Sequence, residues 1–214
     1  MDFQIITTTS EFEEMEKEWN SLLNTSITNV PFLRHEYLLG WWKTLGGGEW
    51  EKGELLIITA SENGCIIGIA PFFLTKADIE KKENTLLLLG SFEISDYLDL
   101  IVAEKNLEQF ITGLFGFLMD NLQLSWERLD LFNVPEHSTS ISHIKKAAES
   151  HGWEFLQERF RPTVSVELAG DFDTYLAGID KKQRHEVRRK MRRASEYDLP
   201  VTWNILDDES LLET

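Results

Sequence analysis

The sequence has few of the features that mark secreted, disulfide-bonded or membrane-spanning proteins. It holds one cysteine, Cys65, among 214 residues, which excludes an internal disulfide. Its longest apolar stretch, CIIGIAPFFL, is interrupted by Gly68 and Pro71 and is too short to span a membrane. The opening residues lack the cationic head and apolar stretch of a signal peptide. Together these absences predict a cytoplasmic protein.

Positive charge is also scarce. The chain has 21 Lys and Arg residues but 37 Asp and Glu residues, which gives a formal net charge of -16. A surface this acidic repels nucleic acid and anionic membranes over most of its area, so DNA binding is not expected. The exception is KKQRHEVRRKMRRA at 181–194. Its first thirteen residues carry eight Lys or Arg and one Glu, so the rest of the chain carries -23.

Apolar residues make up 42% of the chain and aromatic residues 11%, which is enough to bury a core. Segments in which apolar residues recur at every second position alternate with segments in which they recur at helical spacing. We therefore predict an α+β fold. Ser10 and Glu13 have the spacing of a capping box that would open the first helix. Strands are predicted at 3–9, on both sides of the turn ENG at 62–64, and at 85–91, 95–102, 127–134, 153–160, 163–168 and 199–206. Helices are predicted at 10–23, 35–47, 105–122, 138–152, 171–178 and 181–197.

The basic segment predicts a capped helix with one cationic face. Asp180 and Gln183 have capping-box spacing, and at 100° per residue Lys181, Arg188 and Arg192 fall on one line. Arg184, His185 and Arg189 flank that line, and Val187, Met191 and Ala194 form an apolar stripe expected to pack on the protein. Arg and Lys on one face suit a phosphate group. A solvated helix, or one docked on the acidic remainder of the protein, is the alternative.

Two other segments hold candidate site residues. Asp96 and Asp99 lie in SDYLDL, where strand alternation would point them to opposite faces; either carboxylate could orient or deprotonate an amine, or mark an exposed strand end. Trp41 and Trp42 are core aromatics or, alternatively, one of them lines a ligand groove. Three histidines lack metal-ligand spacing, so no metal is expected: His137, His143 and His151.

Five segments, in order, resemble the CelD-type (cellulose-biosynthesis-associated) proteins of the GNAT acetyltransferase superfamily, which are relatives of the FemABX peptidyl transferases. They are PFLRHEYLLGWWKTLGGG, GIAPFFL, GSFEISDYLDLIV, RLDLFNVPEHS and YLAGIDKKQRHEVRRKMRRA. The resemblance covers nearly the whole chain. It implies two GNAT-like halves in tandem, each with a mixed, mostly antiparallel sheet flanked by helices on both faces.

The resemblance divides the chain into an N-terminal GNAT-like domain at 1–178, a basic connecting helix at 179–198, and the start of a second half at 199–214. The final DDESLLET has the pattern of a helix start, which agrees with that division, although a frayed terminus is the alternative. Acetyl-CoA is the implied acyl donor. The Arg/Gln-x-x-Gly-x-Gly/Ala turn that binds its pyrophosphate is missing from SDYLDLIVAEKNLEQF, so the donor site is expected on the second half.

The first half and its basic helix would then bind the acceptor, a small-molecule or nucleotide-linked anion. By resemblance Trp41 and Tyr97 would line the groove, and Asp96 or Asp99 would orient the amine. The phosphate-facing cations would be Lys181, Lys182, Arg184, Arg188 and Arg192. The alternatives are aminoacyl transfer from a charged tRNA, and a non-catalytic module whose basic helix docks an acidic partner or the second half.

Overall fold

The computed structural model describes residues 1–75, 83–91, 93–121, 125–164, 166–168 and 170–198. Its contacts divide the chain into a first unit, Met1–Phe160, and a second unit, Arg161–Thr214. The boundary expected at 178/179 lies inside the second unit, and the segment at 199–214, with its expected strand, lies outside the described residues. The assignment of GNAT-like halves stays a prediction. No helix in the described part of the chain is long and apolar enough to cross a membrane.

The first unit is built on a mixed sheet. Its strands are β1 (Asp2–Ile6), β2 (Gly53–Glu62), β3 (Cys65–Thr75), β4 (Thr85–Leu88), β5 (Ile101–Val102) and β6 (Arg128–Asp130). The order is β1-β2-β3-β4-β6, with β5 also paired to β3. Every pairing is antiparallel except β4 with β6. The predicted α+β class with a mostly antiparallel sheet is confirmed.

The hairpin of β2 and β3 forms where the sequence predicts it. Asn63 and Gly64 both have positive φ, 52° and 77°, as a two-residue hairpin turn of this kind requires. The two strands contribute most of the buried β-branched and aromatic side chains at the centre of the sheet, from Leu55 to Ala60 and from Ile69 to Leu74. This hairpin is therefore the core of the first unit.

Helices cover both faces of the sheet. They are α1 (Thr9–Glu13), α2 (Glu16–Leu23), α3 (His35–Lys43), α4 (Leu107–Asp120) and α5 (Ser140–Ser150). On one face, Trp41 of α3 packs on Phe73 with ring centroids 5.3 Å apart. On the other, Phe117 of α4 stacks on Phe3 at 5.2 Å. Gly68 lies on the Phe3 side, and a Cβ there would stand 2.3 Å from the ring of Phe110.

The capping box of the first helix lies two residues earlier than predicted. The Glu11 amide donates to Thr8 Oγ1, and the Thr8 amide donates to Glu11 Oε2, both at 3.2 Å. Ser10, the predicted cap, lies inside α1, and the predicted single helix is broken between Glu13 and Glu16. TTTSEFEE contains two Ser/Thr-x-x-Glu pairs, and spacing alone does not choose between them.

Three predicted strands form for two residues or not at all, and the strand predicted at 127–134 forms only at Arg128–Asp130. Of 95–102 only Ile101–Val102 is a strand, and the described residues of 153–160 and 163–168 are not in strands. The chain leaves the sheet after β4 and returns at β5, and both strands pair with the same edge of β3, with Phe72–Thr75 and with Gly68–Ile69. Between those two pairings, the Leu89 amide donates to the Pro71 carbonyl at 2.7 Å.

The second unit contains α6 (Phe172–Gly178) and α7 (Lys181–Ser195). Asp171 caps α6 by accepting from the Thr174 amide at 2.7 Å, and this hydrogen bond lowers the pKa of Asp171. Asp180 caps α7 by accepting from the amides of Lys182 and Gln183 at 2.8 and 3.3 Å. Both helices begin at the residues that the sequence predicts.

Candidate functional site

Asp99, one of the two predicted amine-orienting carboxylates, is buried and fully engaged. Its side chain accepts from Thr28 Oγ1 at 2.8 Å, from the Leu100 amide at 2.8 Å and from Ser138 Oγ at 2.5 Å. Only 1% of the residue is exposed. The three donors come from the segment after α2, from the residue before β5 and from the segment before α5. Asp99 therefore holds three chain segments together, a role that its sequence pattern did not indicate.

Asp96 is exposed, whereas Asp99 is buried, so the two carboxylates have different surroundings. The expected alternation along a strand is wrong here because Tyr97, between them, has a φ of 57°. The turn is held by Asn133, whose Nδ2 donates to the Ser95 carbonyl at 2.7 Å and whose carbonyl accepts from the Leu98 amide at 3.1 Å. Tyr97 itself is half-buried. The roles predicted for Asp96, Asp99 and Tyr97 in the reaction stay predictions.

Trp41 lies in the core, which is one of the two positions that the sequence allowed. It is 4% exposed, packs on Phe73, and is surrounded by the glycine run that follows α3. Trp42 is half-buried and donates from Nε1 to Thr9 Oγ1 at 3.3 Å. A ligand could reach the Trp41 ring only after a neighbouring side chain moved. The groove-lining role of Trp41 stays a prediction.

The cations of α7 fall into two groups. Arg184 is half-buried and donates to the Ala177 carbonyl at 3.0 Å, so it closes the turn between α6 and α7. Arg189 makes two hydrogen bonds to Glu186, at 2.9 and 2.6 Å, which lower the pKa of that carboxyl. The remaining predicted cations are exposed and have no ion pair within the described ranges: Lys181, Lys182, Arg188 and Arg192.

The cationic face of α7 is hence narrower than the sequence suggests. Lys181, Arg188 and Arg192 keep their common line, whereas Arg184 and Arg189 are held by contacts within the unit. The first free amides of α7 are taken by the Asp180 carboxylate, so the helix N-terminus offers no open anion site. Side chains, and not the helix end, would have to bind an anion here.

The apolar stripe of α7 does not pack as predicted. Val187 is half-buried, Ala194 is exposed and Met191 is 52% exposed, and α7 has no buried residue. The expectation of an anchored helix is wrong for the described residues. Helical spacing shows which side chains share a face, but it does not supply the surface that would cover them.

The connection from β5 to α4 does not look like a pyrophosphate site. It is a short 3-10 turn, Glu104–Asn106, with no glycine, and the Asn106 side chain does not cap α4. Glu104 accepts from Thr139 Oγ1 at 3.1 Å, and Glu108 pairs with Lys146 at 2.6 Å. Within the described ranges, no three His, Cys, Asp or Glu side chains are grouped as metal ligands would be.

No protein-family model matches the sequence, and no curated protein is similar enough to count as a match. Solved structures with a related arrangement include three acetyltransferases. Glucosamine-6-phosphate N-acetyltransferase from Arabidopsis thaliana has 14% identity and a TM-score of 0.45, over 77% of this chain and 100% of its own. Ribosomal-protein-alanine N-acetyltransferase from Brucella melitensis biovar Abortus 2308 has 15% identity and a TM-score of 0.39, over 75% of this chain and 100% of its own.

The third, an aminoglycoside acetyltransferase from an uncultured soil metagenomic sample, has 15% identity and a TM-score of 0.42, over 78% of this chain and 100% of its own. All three are acetyltransferases by description. Likenesses this distant do not assign a family or an activity to the chain.

Proposed function

We propose that this chain belongs to an N-acyltransferase and that the exposed line of Lys181, Arg188 and Arg192 on α7 binds an anionic acceptor. The observation that carries the proposal is that these three side chains are exposed and without an ion pair in the described part of an otherwise acidic protein. Cations left unpaired on a chain of net charge -16 are available to an external anion.

The spacing of the line favours an acceptor with more than one phosphate. At 1.5 Å per residue, Arg188 lies about 10 Å along the helix from Lys181, and Arg192 about 6 Å further. The guanidinium groups of Arg188 and Arg192, one helical turn apart, can each bind a phosphate of a diphosphate. Lys181 adds a positive charge further along the helix. A nucleotide-linked acceptor presents such a group, and the sequence resemblance supports the same class.

The sequence resemblance also supports acetyl-CoA as the donor. In such a transfer the acceptor amine attacks the thioester carbonyl, an N–C bond forms, and the C–S bond breaks. The amine proton passes to a base, and the CoA thiolate leaves and is protonated. Of the two aspartates predicted to orient the amine, Asp96 is exposed, whereas the Asp99 carboxylate already accepts three hydrogen bonds.

We place the donor site outside the first unit. The β5–α4 connection carries Glu104 and Glu108 and no glycine, and carboxylates there would repel a pyrophosphate. Acetyl-CoA titrated into the isotopically labelled chain should therefore leave the amide signals of β5 and of the first turn of α4 in place. Shifts of those signals at micromolar acetyl-CoA would contradict the placement without bearing on the acceptor proposal.

The acceptor proposal is tested by mapping where a nucleoside diphosphate binds. Uridine diphosphate titrated into isotopically labelled protein should shift the amide signals of 181–192 at low salt and leave those of β2 and β3 in place. The shifts should shrink as salt is raised, because the contacts are ionic. Unchanged α7 signals at low salt, or shifts confined to the first unit, would overturn the proposal.

A further inference from the structure

The apolar stripe of α7 has no part in the acceptor site proposed above. Val187 is half-buried, Met191 is 52% exposed and Ala194 is exposed, and α7 has no buried residue. Around the helix these three side chains fall within about 60° of one another. A helix of a globular protein normally packs such a stripe against the core. Within the described ranges this stripe stays open, so it can contact an external apolar phase.

Cations lie on both sides of the stripe. Measured around the helix from Met191, Arg188 lies about 60° to one side and Lys190 about 100° to the other. Both are exposed, and Lys190 also has a 3.8 Å contact with Glu186. Long basic side chains beside an apolar stripe extend along it and place their charge at the level of lipid headgroups. This arrangement is typical of a helix that lies in the plane of a membrane surface.

The charge of α7 selects the kind of lipid. Residues 181–193 carry eight Lys or Arg and one Glu, whereas the rest of the chain carries -23. An anionic leaflet attracts a cationic segment that comes within a Debye length, about 8 Å at physiological salt, and repels acidic surfaces. Three apolar side chains alone would hold the helix weakly on an uncharged surface. The stripe and the charge together therefore favour an anionic bilayer.

A second α7 is a poorer cover for the stripe, because two strongly cationic helices repel each other at close range. We propose that α7 binds the surface of an anionic bilayer, with Val187, Met191 and Ala194 inserted at the headgroup level and with Arg188 and Lys190 bound to lipid phosphates. The inference does not rest on the proposed function, although both use Arg188. A helix bound in this way keeps Lys182, about 180° around the helix from Met191, in water.

The first test measures how much of the 214-residue chain floats with lipid vesicles in a density gradient. Vesicles of phosphatidylserine and phosphatidylcholine in equal parts should carry the chain at low salt, and vesicles of phosphatidylcholine alone should not. Binding should weaken as salt is raised, because the attraction is ionic. If the chain does not float with the anionic vesicles at low salt, the proposal is wrong.

Insertion of the stripe is tested with an environment-sensitive fluorophore on single cysteines in a Cys65→Ser background. Met191→Cys probes the stripe, and Lys182→Cys is the matched control on the opposite face; both replace exposed residues. With saturating anionic vesicles, the label at 191 should shift to the blue and escape quenching by acrylamide, and the label at 182 should stay in water. Equal responses would indicate attraction by charge alone. A label at 191 that is blue-shifted before vesicles are added would indicate that protein covers the stripe. Either result would overturn the proposal.

A charge-neutral variant separates membrane binding from acceptor binding. Val187→Ser with Met191→Ser removes the stripe and keeps every charge of α7. It should weaken binding to the anionic vesicles several-fold and leave binding of inorganic pyrophosphate unchanged, because Arg188 and Arg192 remain. The unfolding midpoint should change little, since neither side chain is buried. Vesicle binding as tight as that of the wild type would contradict the membrane proposal, whether or not pyrophosphate binds.

Discussion

At the scale of single residues, the two aspartates of SDYLDL show how neighbours of the same type take different roles. Asp99→Ala would leave Thr28 Oγ1, Ser138 Oγ and the Leu100 amide without their acceptor, and we expect a loss of about 3 kcal/mol in the free energy of unfolding. Asp96→Ala is the matched control, and it should change that free energy by about 0.5 kcal/mol or less. Equal losses in urea unfolding would contradict a holding role for Asp99.

Also at the scale of single residues, Glu36 makes the stability of the fold depend on pH. Partial burial opposes ionisation, but hydrogen bonds from Arg34 and Asn20 outweigh it and lower the pKa of Glu36 from 4.5 to about 2. A lowered folded-state pKa stabilises the fold above about pH 4.5, and this stabilisation is lost as the pH falls toward 2. The contribution is about 1 kcal/mol or less, because the side chain is half-exposed.

The expected result for Glu36→Gln is a lower unfolding midpoint than wild type at pH 6 and a difference that closes as the pH falls toward 2. Glu18→Gln, at an exposed glutamate of α2, serves as the control and should show no such closing gap. A gap of constant size across that range would mean that the Arg34 and Asn20 hydrogen bonds do not act through the Glu36 charge.

At the scale of elements, α4 packs closely on the sheet because Gly68 has no side chain. Gly68→Ala would put a Cβ 2.3 Å from the ring of the fully buried Phe110, so we expect a destabilisation of about 2 kcal/mol. In Gly116→Ala, within α4 itself, the added Cβ meets no atom within 4 Å, and the change should stabilise by about 0.5–1 kcal/mol. Unfolding curves in which both variants move the same way would refute the close approach.

Elements with a strong local signal could be predicted from the sequence, and elements that depend on distant partners could not. Asn63–Gly64 and the caps Asp171 and Asp180 form as predicted because their hydrogen bonds are local. The 95–102 segment alternates like a strand, yet most of it leaves the sheet. Asn133 and Ser138, far away in sequence, hold it there, and no pattern in SDYLDL indicates them.

At the scale of the whole molecule, charge was easier to predict than packing. The sequence alone identifies the cationic helix and the line of Lys181, Arg188 and Arg192. It does not show that Arg184 and Arg189 bond within the second unit, or that Met191 stays exposed. The bonds of Arg184 and Arg189 remove those two cations from the candidate site and leave the line of Lys181, Arg188 and Arg192, with Lys182 exposed beside it.

The most direct test of this account reverses charges on the two sides of α7. Arg188→Glu with Arg192→Glu should weaken pyrophosphate binding at least about tenfold, or 1.4 kcal/mol, in calorimetry. Lys190→Glu with Arg193→Glu is the matched control, since the pair changes the net charge by the same amount. Lys190 and Arg193 lie about 180° and about 120° around the helix from the line, and Lys190 has a 3.8 Å contact with Glu186. This control should retain most of the binding. Equal weakening in both variants would indicate attraction by net charge alone, and loss of folding in the Arg188→Glu, Arg192→Glu variant would indicate a docking helix; either result would contradict an acceptor site on this face.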